Sequence, residues 1–446
     1  MQRPLRKPEG ARGLTKPQQT AINNTEEISV GKRIRNNCSG KAVNRTAFGA
    51  AVLAMLSALP VAAQAQSSVT LYGRVVAGVT MVNNAGRGHV WEGDTCGPPG
   101  CNEWGLKGRE DLGGGTAAIF TLENGFNIQN GRLGQGGVMF GRQAFVGLTN
   151  QQWGTLTLGR QYDPPSETVG YFPSSNNFAT GYGSHFGDLD NLNQSIRINN
   201  SVKYVSPTWS GLRVSGLYSL GGVPGSMSTN QVRSLAAMYT RGPFALAVGY
   251  LDIHNPATSP DGTGGVYASN GNYVGSLGRY VALQDAKSMK SFTAGGSYAL
   301  GRATLALNFA HTALDQSQYF VANGFAGAGS GSDFTMNSYE ASVTYQFTPA
   351  LVGGAAYIYN AGKATYQNLK PNFQQVNLGL RYSLSKRTSL YGVAIFQKAA
   401  GDGIAPVLNA NGQAVGRTAI AEIPGAGVDS GSARQLLISV GMYHSF

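Results

Sequence analysis

Apolar and polar side chains alternate along most of the chain between about residues 68 and 446, and connections of two lengths join the alternating stretches. A period of two places apolar side chains on one face of a β-strand and polar ones on the other. Short connections lie at 110–115, 150–154, 206–211, 241–243, 300–302, 348–350 and 385–387. Long connections lie near 83–101, 130–137, 163–198, 222–231, 252–287, 314–335, 362–373 and 399–432. These seven short and eight long connections predict an all-β fold of 16 antiparallel strands, with the short turns and long loops at opposite ends that are typical of transmembrane barrels.

The two ends of this region are predicted to pair and close the barrel. In lipid every backbone N–H and C=O group needs an internal partner, so an open sheet edge is excluded. The first strand, at about 68–82, should therefore pair with the last, at 433–446. One face of that last strand carries Leu436, Ile438, Val440, Met442, His444 and Phe446.

Tyrosines recur just before the short connections. They are Tyr204, Tyr239, Tyr298, Tyr345 and Tyr382. Amphipathic aromatic rings are favoured at a membrane–water boundary, so this spacing predicts a ring of tyrosines at one rim. The 63 glycines and the low charged content of 13% also suit a strand-rich chain with many turns.

The segment before the strands has the features of an export leader. An apolar run at 48–63 follows two basic residues, Lys41 and Arg45, and ends in small residues before Gln66. It is too short for a helical membrane span, which favours a signal peptide over a membrane anchor. We therefore predict a leader at 1–65 and a barrel domain at 66–446. The leader holds ten basic and three acidic residues, so its removal reduces the net charge from +12 to +5, which gives little support to nucleic-acid binding.

Cys96 and Cys101 remain in the exported part, around a Gly-Pro-Pro-Gly turn. An oxidising compartment favours a disulfide between two cysteines this close. Free thiols and a metal site are the alternatives, but a metal would need more ligands nearby than His89. We expect no metal and no cofactor.

Several segments of the sequence resemble the sequences of the general trimeric porins of Gram-negative outer membranes, most closely those of the β-proteobacterial branch. They are SSVTLYGRVVAGV (67–79), WGLKGREDLGGGTAAIFTLENGFN (104–127), GRQAFVGL (141–148), GTLTLGRQYD (154–163) and VGMYHSF (440–446). The resemblance implies homotrimers, a third extracellular loop folded into the lumen, and an outer-membrane location. The terminal Phe446 resembles the signal that the barrel assembly machinery reads.

The resemblance also implies a constriction with basic residues on the wall and acidic residues on the inward loop. The basic candidates are Arg74, Arg142, Arg160, Arg197 and Lys203. Alternation supports an inward side chain at the first and the last two of these; it is ambiguous at Arg142, and at Arg160 it disagrees, because Leu156 and Leu158 share its face. We follow the resemblance there, because the strand ends and bends inward at that point.

The acidic candidates on the 163–198 connection are Asp163, Glu167, Asp188 and Asp190. A further acid departs from the family pattern, since Glu103 stands where related porins carry an arginine. Its neighbours Trp104 and Leu106 mark the lipid face, so Glu103 should point inward, where it could pair with Arg74 or Arg142 or create a mixed constriction. Fixed charges in a narrow aqueous passage bias ion entry, and this set predicts weak anion preference or little selectivity.

The function predicted from these features is passive diffusion of small hydrophilic solutes and inorganic ions. The alternatives are a substrate-specific channel for a sugar or an organic acid, an outer-membrane enzyme such as a phospholipase, and a surface adhesin. We expect no enzyme: none of the five histidines stands in an HExxH spacing, and no GxSxG word has a strand–turn–helix setting. The long connections 252–287 and 399–432 are predicted to be exposed outside, where they would contact lipopolysaccharide, and the strands should contact outer-membrane lipid.

Overall fold

Sixteen antiparallel strands form a closed barrel in the part of the chain that the structure describes. The structure is a computed structural model that describes residues 67–86, 88–98, 100–256, 278–411, 414–428 and 430–446. The predicted leader at 1–65, with its apolar run and cleavage point, lies outside these residues. The wall strands are β1 (Ser68–Ala85), β2 (Glu103–Gly113), β3 (Thr116–Gly125), β4 (Gln143–Asn150), β5 (Gly154–Gln161), β6 (Ile198–Val205), β7 (Leu212–Ser219), β8 (Val232–Arg241), β9 (Phe244–His254), β10 (Ser288–Leu300), β11 (Ala303–Ser317), β12 (Ser332–Gln346), β13 (Leu351–Ala364), β14 (Pro371–Ser383), β15 (Thr388–Gly401) and β16 (Arg434–Ser445).

The barrel closes between β1 and β16, as the sequence predicts. Arg74 pairs with Ser445 and Val82 pairs with Leu437 at the two ends of this antiparallel ladder. At the terminus, the backbone N–H of Phe446 donates to the carbonyl of Gly73 over 3.0 Å. The 16-strand architecture is therefore confirmed.

Side chains alternate between an apolar outer surface and a polar, filled interior. On β1, Val69 and Leu71 are exposed on the outside whereas Thr80 is fully buried. Four of the five rim tyrosines are among the exposed large side chains on the outer surface, and they are Tyr204, Tyr298, Tyr345 and Tyr382. None of the helices in the described ranges is long and apolar enough to cross a membrane.

The wall is low on one side and tall on the other. Strands β4 to β7 have eight residues each, whereas β10 to β15 have 13 to 15. A transmembrane strand needs about 9–11 residues to cross the apolar core of a bilayer. The strands on the low side are therefore shorter than the length that a strand needs to cross the bilayer core on its own.

The third long connection, 162–197, folds into the barrel, as predicted. It contains the short helices Val169–Tyr171, Ser174–Asn177, Gly181–Gly183 and Phe186–Asp188. We call it the inward loop. It crosses from β5 to the opposite wall, where the Asn377 side-chain amide of β14 donates to the carbonyl of Gly183 over 2.9 Å, and the N–H of Phe186 donates to Asn360 of β13 over 3.3 Å.

The outer loops on the tall side pack into an apolar cluster with the inward loop. Phe186 stacks on Phe373, and Tyr280 and Tyr319 lie nearby. The other helices, all short, are Gln135–Gly137, Gly278–Gln284, Tyr319–Ala322 and Tyr366–Asn368. The connection 399–432 includes strands Ala405–Leu408 and Ala414–Thr418, but Ala421, Ile423 and Ala426 are buried. The prediction that this connection is exposed is thus wrong for that part, because its apolar side chains pack inward.

The first long connection holds structure that the alternation did not predict. Strand Gly88–Asp94 extends the β1 ladder, with Asp94 opposite Gly78, and two-residue strands follow at Cys96–Gly97 and Gly100–Cys101. Residues 95–98 and 100–102 leave the wall between this extra strand and β2, and we call them the disulfide hairpin.

Candidate functional site

Four charged side chains inside the barrel form a compact cluster at the level of the disulfide hairpin. Arg74 of β1 and Glu103 of β2 are cross-strand neighbours, and Arg74 Nη2 lies 2.9 Å from Glu103 Oε1. Arg142, just before β4, contacts the second Glu103 oxygen over 2.7 Å and Glu123 of β3 over 2.8 Å. The Tyr72 hydroxyl donates to Glu123 over 2.6 Å. Two guanidinium groups thus face two carboxylates, and the cluster carries no net charge.

Glu103 therefore points inward and pairs with both arginines that the sequence suggested. Glu123 and Tyr72 were missed. A single carboxylate on the polar face of the alternating strand TLENG was the available signal for Glu123. A barrel strand places such a side chain in the lumen, where a cation has to compensate it.

Arg160 and Arg197 form a second basic group beside the inward loop. Arg160 Nε donates to the carbonyl of Gly141 over 2.8 Å, and its Nη1 donates to Asn199 over 2.5 Å. Arg197 donates to the carbonyl of Ser195 over 3.2 Å and lies over the ring of Tyr162. Within the described ranges neither guanidinium has a carboxylate partner. Neither charge is therefore neutralised by an ion pair there, and Arg197, although largely buried, lines the polar cavity described below.

The inward direction of Arg160 follows from a local break in the strand. The β5–β6 ladder shifts register between Gly159 and Gln161, and Gly159 has a φ of +138°. A bulge of this kind moves the following side chain to the other face of the sheet. The period-two argument against Arg160 therefore does not hold, because the period is interrupted immediately before it.

Lys203 of β6 is the one basic candidate that pairs with the inward loop. Its Nζ lies 2.8 Å from Glu167 and also donates to the carbonyl of Tyr162 over 3.1 Å. Glu167 keeps a third of its side chain exposed. This pair sits at the start of the loop and ties it to the low wall.

The other three acidic candidates do not line an open passage, and that part of the prediction is wrong. Asp163 and Asp188 are fully buried, and Asp190 is nearly so. Asp163 accepts from the N–H of Ser166 and from Asn191, and Asp188 accepts from backbone N–H groups later in the loop. Burial raises the pKa of Asp163 to about 6 and of Asp188 to about 7. These carboxyl groups hold the loop together and present little charge to solutes.

A buried ion pair anchors the inward loop to the tall wall. His185 Nδ1 lies 2.5 Å from Asp190, and its Nε2 lies 3.0 Å from Glu340 of β12. Glu340 also accepts from the N–H of Ser174 over 2.7 Å. Burial lowers the pKa of His185, but the carboxylates of Asp190 and Glu340 outweigh it and raise the pKa to about 10. His185 is therefore a cation at neutral pH, and the sequence carried no signal for this contact.

We expect this anchor to weaken progressively as pH rises from about 6.5 to about 10. The pKa of His185 is raised above its unfolded value of about 6.5, so its stabilising contribution is complete below that value and is lost as pH rises through about 10. Current fluctuations of single channels should be lowest below about pH 6.5 and should become steadily more frequent as pH rises towards about 10. A His185→Asn variant should fluctuate at all pH values, and the same increase with pH in that variant would contradict the assignment.

A polar cavity of about 310 Å³ lies between the inward loop and the disulfide hairpin. Its lining includes Arg142 from the cluster of Arg74, Glu103, Glu123 and Arg142. It also includes Arg197, and Cys96, Gly100 and Cys101 from the hairpin. The structure joins Cys96 to Cys101 by a disulfide bond. No group of three histidine, cysteine, aspartate or glutamate side chains in the described ranges is arranged to hold a metal ion.

Comparison with known proteins places these features in one family. The family model described as Gram-negative porin matches residues 49–399. An outer membrane porin protein of Bordetella pertussis is 31% identical over 396 residues, which covers 80% of this chain and 94% of that protein. Outer membrane porin protein 32 of Delftia acidovorans is 28% identical over 401 residues, covering 86% and 96%. The solved anion-selective porin from Comamonas acidovorans shares the fold with a TM-score of 0.60 at 23% identity, covering 85% of this chain and all of that one. The chain therefore belongs to the Gram-negative porins and forms a passive channel in the outer membrane.

Proposed function

We propose that the channel conducts small hydrophilic solutes and ions with a weak preference for anions, through a constriction between the inward loop and the basic wall. The observation that carries this proposal is the unpaired state of Arg160 and Arg197 in the described ranges. The other three basic candidates are balanced by Glu103, Glu123 and Glu167. The five basic candidates and these three carboxylates therefore leave an excess of two positive charges, which is small for a strongly selective pore.

The reversal potential of the purified protein in a planar bilayer tests this proposal. In a potassium chloride gradient we expect a potential whose sign and small size correspond to a weak preference for chloride. The preference should decline as salt rises, because the Debye length falls from about 10 Å at 0.1 M to about 3 Å at 1 M. A clear cation preference would contradict the proposal. Saturable block of the current by one sugar or organic acid would favour a substrate-specific channel.

Passive diffusion through the proposed constriction requires no catalytic group, and we propose no enzymatic activity for the chain. The family and the relatives are described as porins, which supports a channel. Lipid hydrolysis by the purified barrel, lost on changing one serine or histidine, would overturn this assignment.

We also propose that three copies associate through the low wall formed by β4 to β7. Eight-residue strands are too short to face lipid alone, so a neighbouring subunit on that side would shield their ends. A molecular mass in detergent equal to three chains would support this arrangement, and a monomeric mass would contradict it. Lipopolysaccharide, outer-membrane lipid and the assembly machinery that reads Phe446 complete the proposed set of partners.

A further inference from the structure

The disulfide hairpin is an excursion of a barrel strand into the lumen. On β1, Gly78 pairs with Asp94 of the extra strand and Arg74 pairs with Glu103 of β2. Between these two pairs, β1 has three residues (75–77), whereas the partner segment has eight (95–102). The partner segment is therefore five residues longer than an uninterrupted strand would be.

Asn102 closes the gap that the excursion leaves in the wall. The N–H of Val76 on β1 donates to the Asn102 side-chain oxygen over 2.5 Å, and the side-chain amide donates back to the carbonyl of Val76 over 3.0 Å. The same amide nitrogen also donates to the carbonyl of Thr95 over 3.0 Å. One asparagine side chain thus replaces the ladder contacts of a strand residue, and the backbone groups of Val76 stay satisfied.

Asp94 fixes the base of the hairpin from inside the barrel. It is 1% exposed and accepts hydrogen bonds from Tyr182 of the inward loop over 2.9 Å and from Tyr391 of β15 over 3.2 Å. It also accepts from the hydroxyl of Ser439 on β16 and from the N–H of Cys96 over 3.0 Å. The base of the hairpin is therefore tied to the neighbouring wall strands β15 and β16 as well as to the inward loop.

The two glycines of the hairpin touch lumenal side chains. A Cβ atom on Gly97 would lie 2.8 Å from the ring of Tyr391, and one on Gly100 would lie 2.5 Å from Nη1 of Arg74. Gly100 also has a φ of +142°, which other residues rarely adopt. A side chain at Gly97 would collide with the ring of Tyr391, and one at Gly100 would displace the end of Arg74, so the hairpin packs against these two side chains and does not extend into the solvent.

We infer that the disulfide hairpin is a second element of the constriction, which limits solute size from the side opposite the inward loop. This deepens the proposed function and rests on it. The covalent link between Cys96 and Cys101 keeps the turn compact, so the hairpin forms a fixed wall of the 310 Å³ cavity. Solutes that pass this cavity meet Arg142 and Arg197 on one side and the hairpin on the other.

A single thiol on the hairpin tests the inference. The disulfide is open in this variant, while the contacts of Asn102 with Val76 and of Asp94 with the N–H of residue 96 still hold the base of the hairpin. Cys96→Ser leaves Cys101 as the one cysteine of the 66–446 chain. Its thiolate attacks a methanethiosulfonate reagent, and methanesulfinate leaves as a mixed disulfide forms. With a sulfonate-bearing reagent we expect the single-channel current to fall by roughly half and the chloride preference to be lost, because a bulky anion then stands beside two arginines. A trimethylammonium reagent should reduce the current but keep the preference.

The control is a thiol on an outer turn. Ser228→Cys in a Cys96→Ser/Cys101→Ser background places the thiol at an exposed position, where labelling should leave the current unchanged. Complete labelling of Cys101, verified by mass, without any change in current would overturn the inference. A wrong assignment of the proposed function would give a different result, namely no conductance, or a preference for cations, in the unlabelled protein.

A deletion gives an independent readout. Removal of residues 96–100 with Cys101→Ser leaves three residues opposite the three of β1, which restores an even ladder. We expect the conductance to rise by roughly 1.5-fold and larger sugars to enter liposomes. Unchanged conductance in a folded deletion variant would contradict the inference, and the labelling experiment decides the question if this variant does not fold.

Discussion

Replacement of Glu103 by glutamine should increase the chloride-to-potassium permeability ratio of the channel by about twofold or more, because one unit charge about 8 Å from a passing ion changes its energy by about 0.5 kcal/mol even in water. The carboxylate of Glu103 bridges Arg74 and Arg142. Glutamine has the same size and still offers one acceptor, while Arg142 keeps its contact with Glu123. The guanidinium of Arg74 then loses its only ion-pair partner in the described ranges. The reversal potential in a salt gradient measures the change.

The matched control reduces the positive charge instead. Arg160→Gln removes one of the two unpaired cations and should shift the permeability ratio in the opposite direction by a similar factor. If both variants shift the ratio in the same direction, the pore field does not follow the charges of this constriction. If neither shifts it, ions pass elsewhere than beside these two groups.

Replacement of Glu340 by alanine should release the inward loop from the tall wall. The change leaves the protonated His185 with one partner in place of two, and it orphans the N–H of Ser174 and the amide of Asn308. Loss of one partner from a buried ion pair costs about 3–5 kcal/mol, although the remaining contact to Asp190 reduces that cost. We expect frequent current fluctuations and a lower thermal transition in detergent, measured by single-channel recording and circular dichroism.

Glu340→Gln separates the charge from the hydrogen bonds. Its amide oxygen can still accept from the N–H of Ser174, so the loop should stay docked but its anchor should be weaker than in the wild type. An intermediate fluctuation rate is therefore expected. A Glu340→Ala channel as quiet as the wild type would show that the other contacts of the loop, such as the one between Asn377 and Gly183, hold it without the ion pair.

The wall of the barrel was predictable from the sequence because its signal is local and repeated. In each strand, apolar and polar residues alternate with a period of two, which identifies the lipid-facing and lumenal faces. The pairing of β1 with β16 follows from the need to pair every backbone group in lipid. The inward direction of Arg74 and Glu103 came from the same rule. The rule disagreed at Arg160, where the bulge after Gly159 shifts the side chain by one position.

The interior was harder to predict because its contacts join residues that are distant along the chain. Glu340 stands 155 residues from His185, and nothing in either local sequence points to the other. The acids of the inward loop were predicted to face solutes, but Asp163 and Asp188 serve as acceptors for the backbone of their own loop. The extra strand Gly88–Asp94 was missed because its glycines and short length are typical of a loop.

The repair of the β1 ladder by Asn102 has a consequence for how such channels diversify. Because one amide side chain satisfies the otherwise unpaired backbone groups, the barrel can hold an insertion without a break in its hydrogen bonding. Residues added at this position therefore change the pore diameter, while the lipid-facing surface is unchanged. Filtering properties can then evolve separately from membrane insertion, and foreign peptides grafted between Thr95 and Asn102 should likewise be displayed inside the conduit.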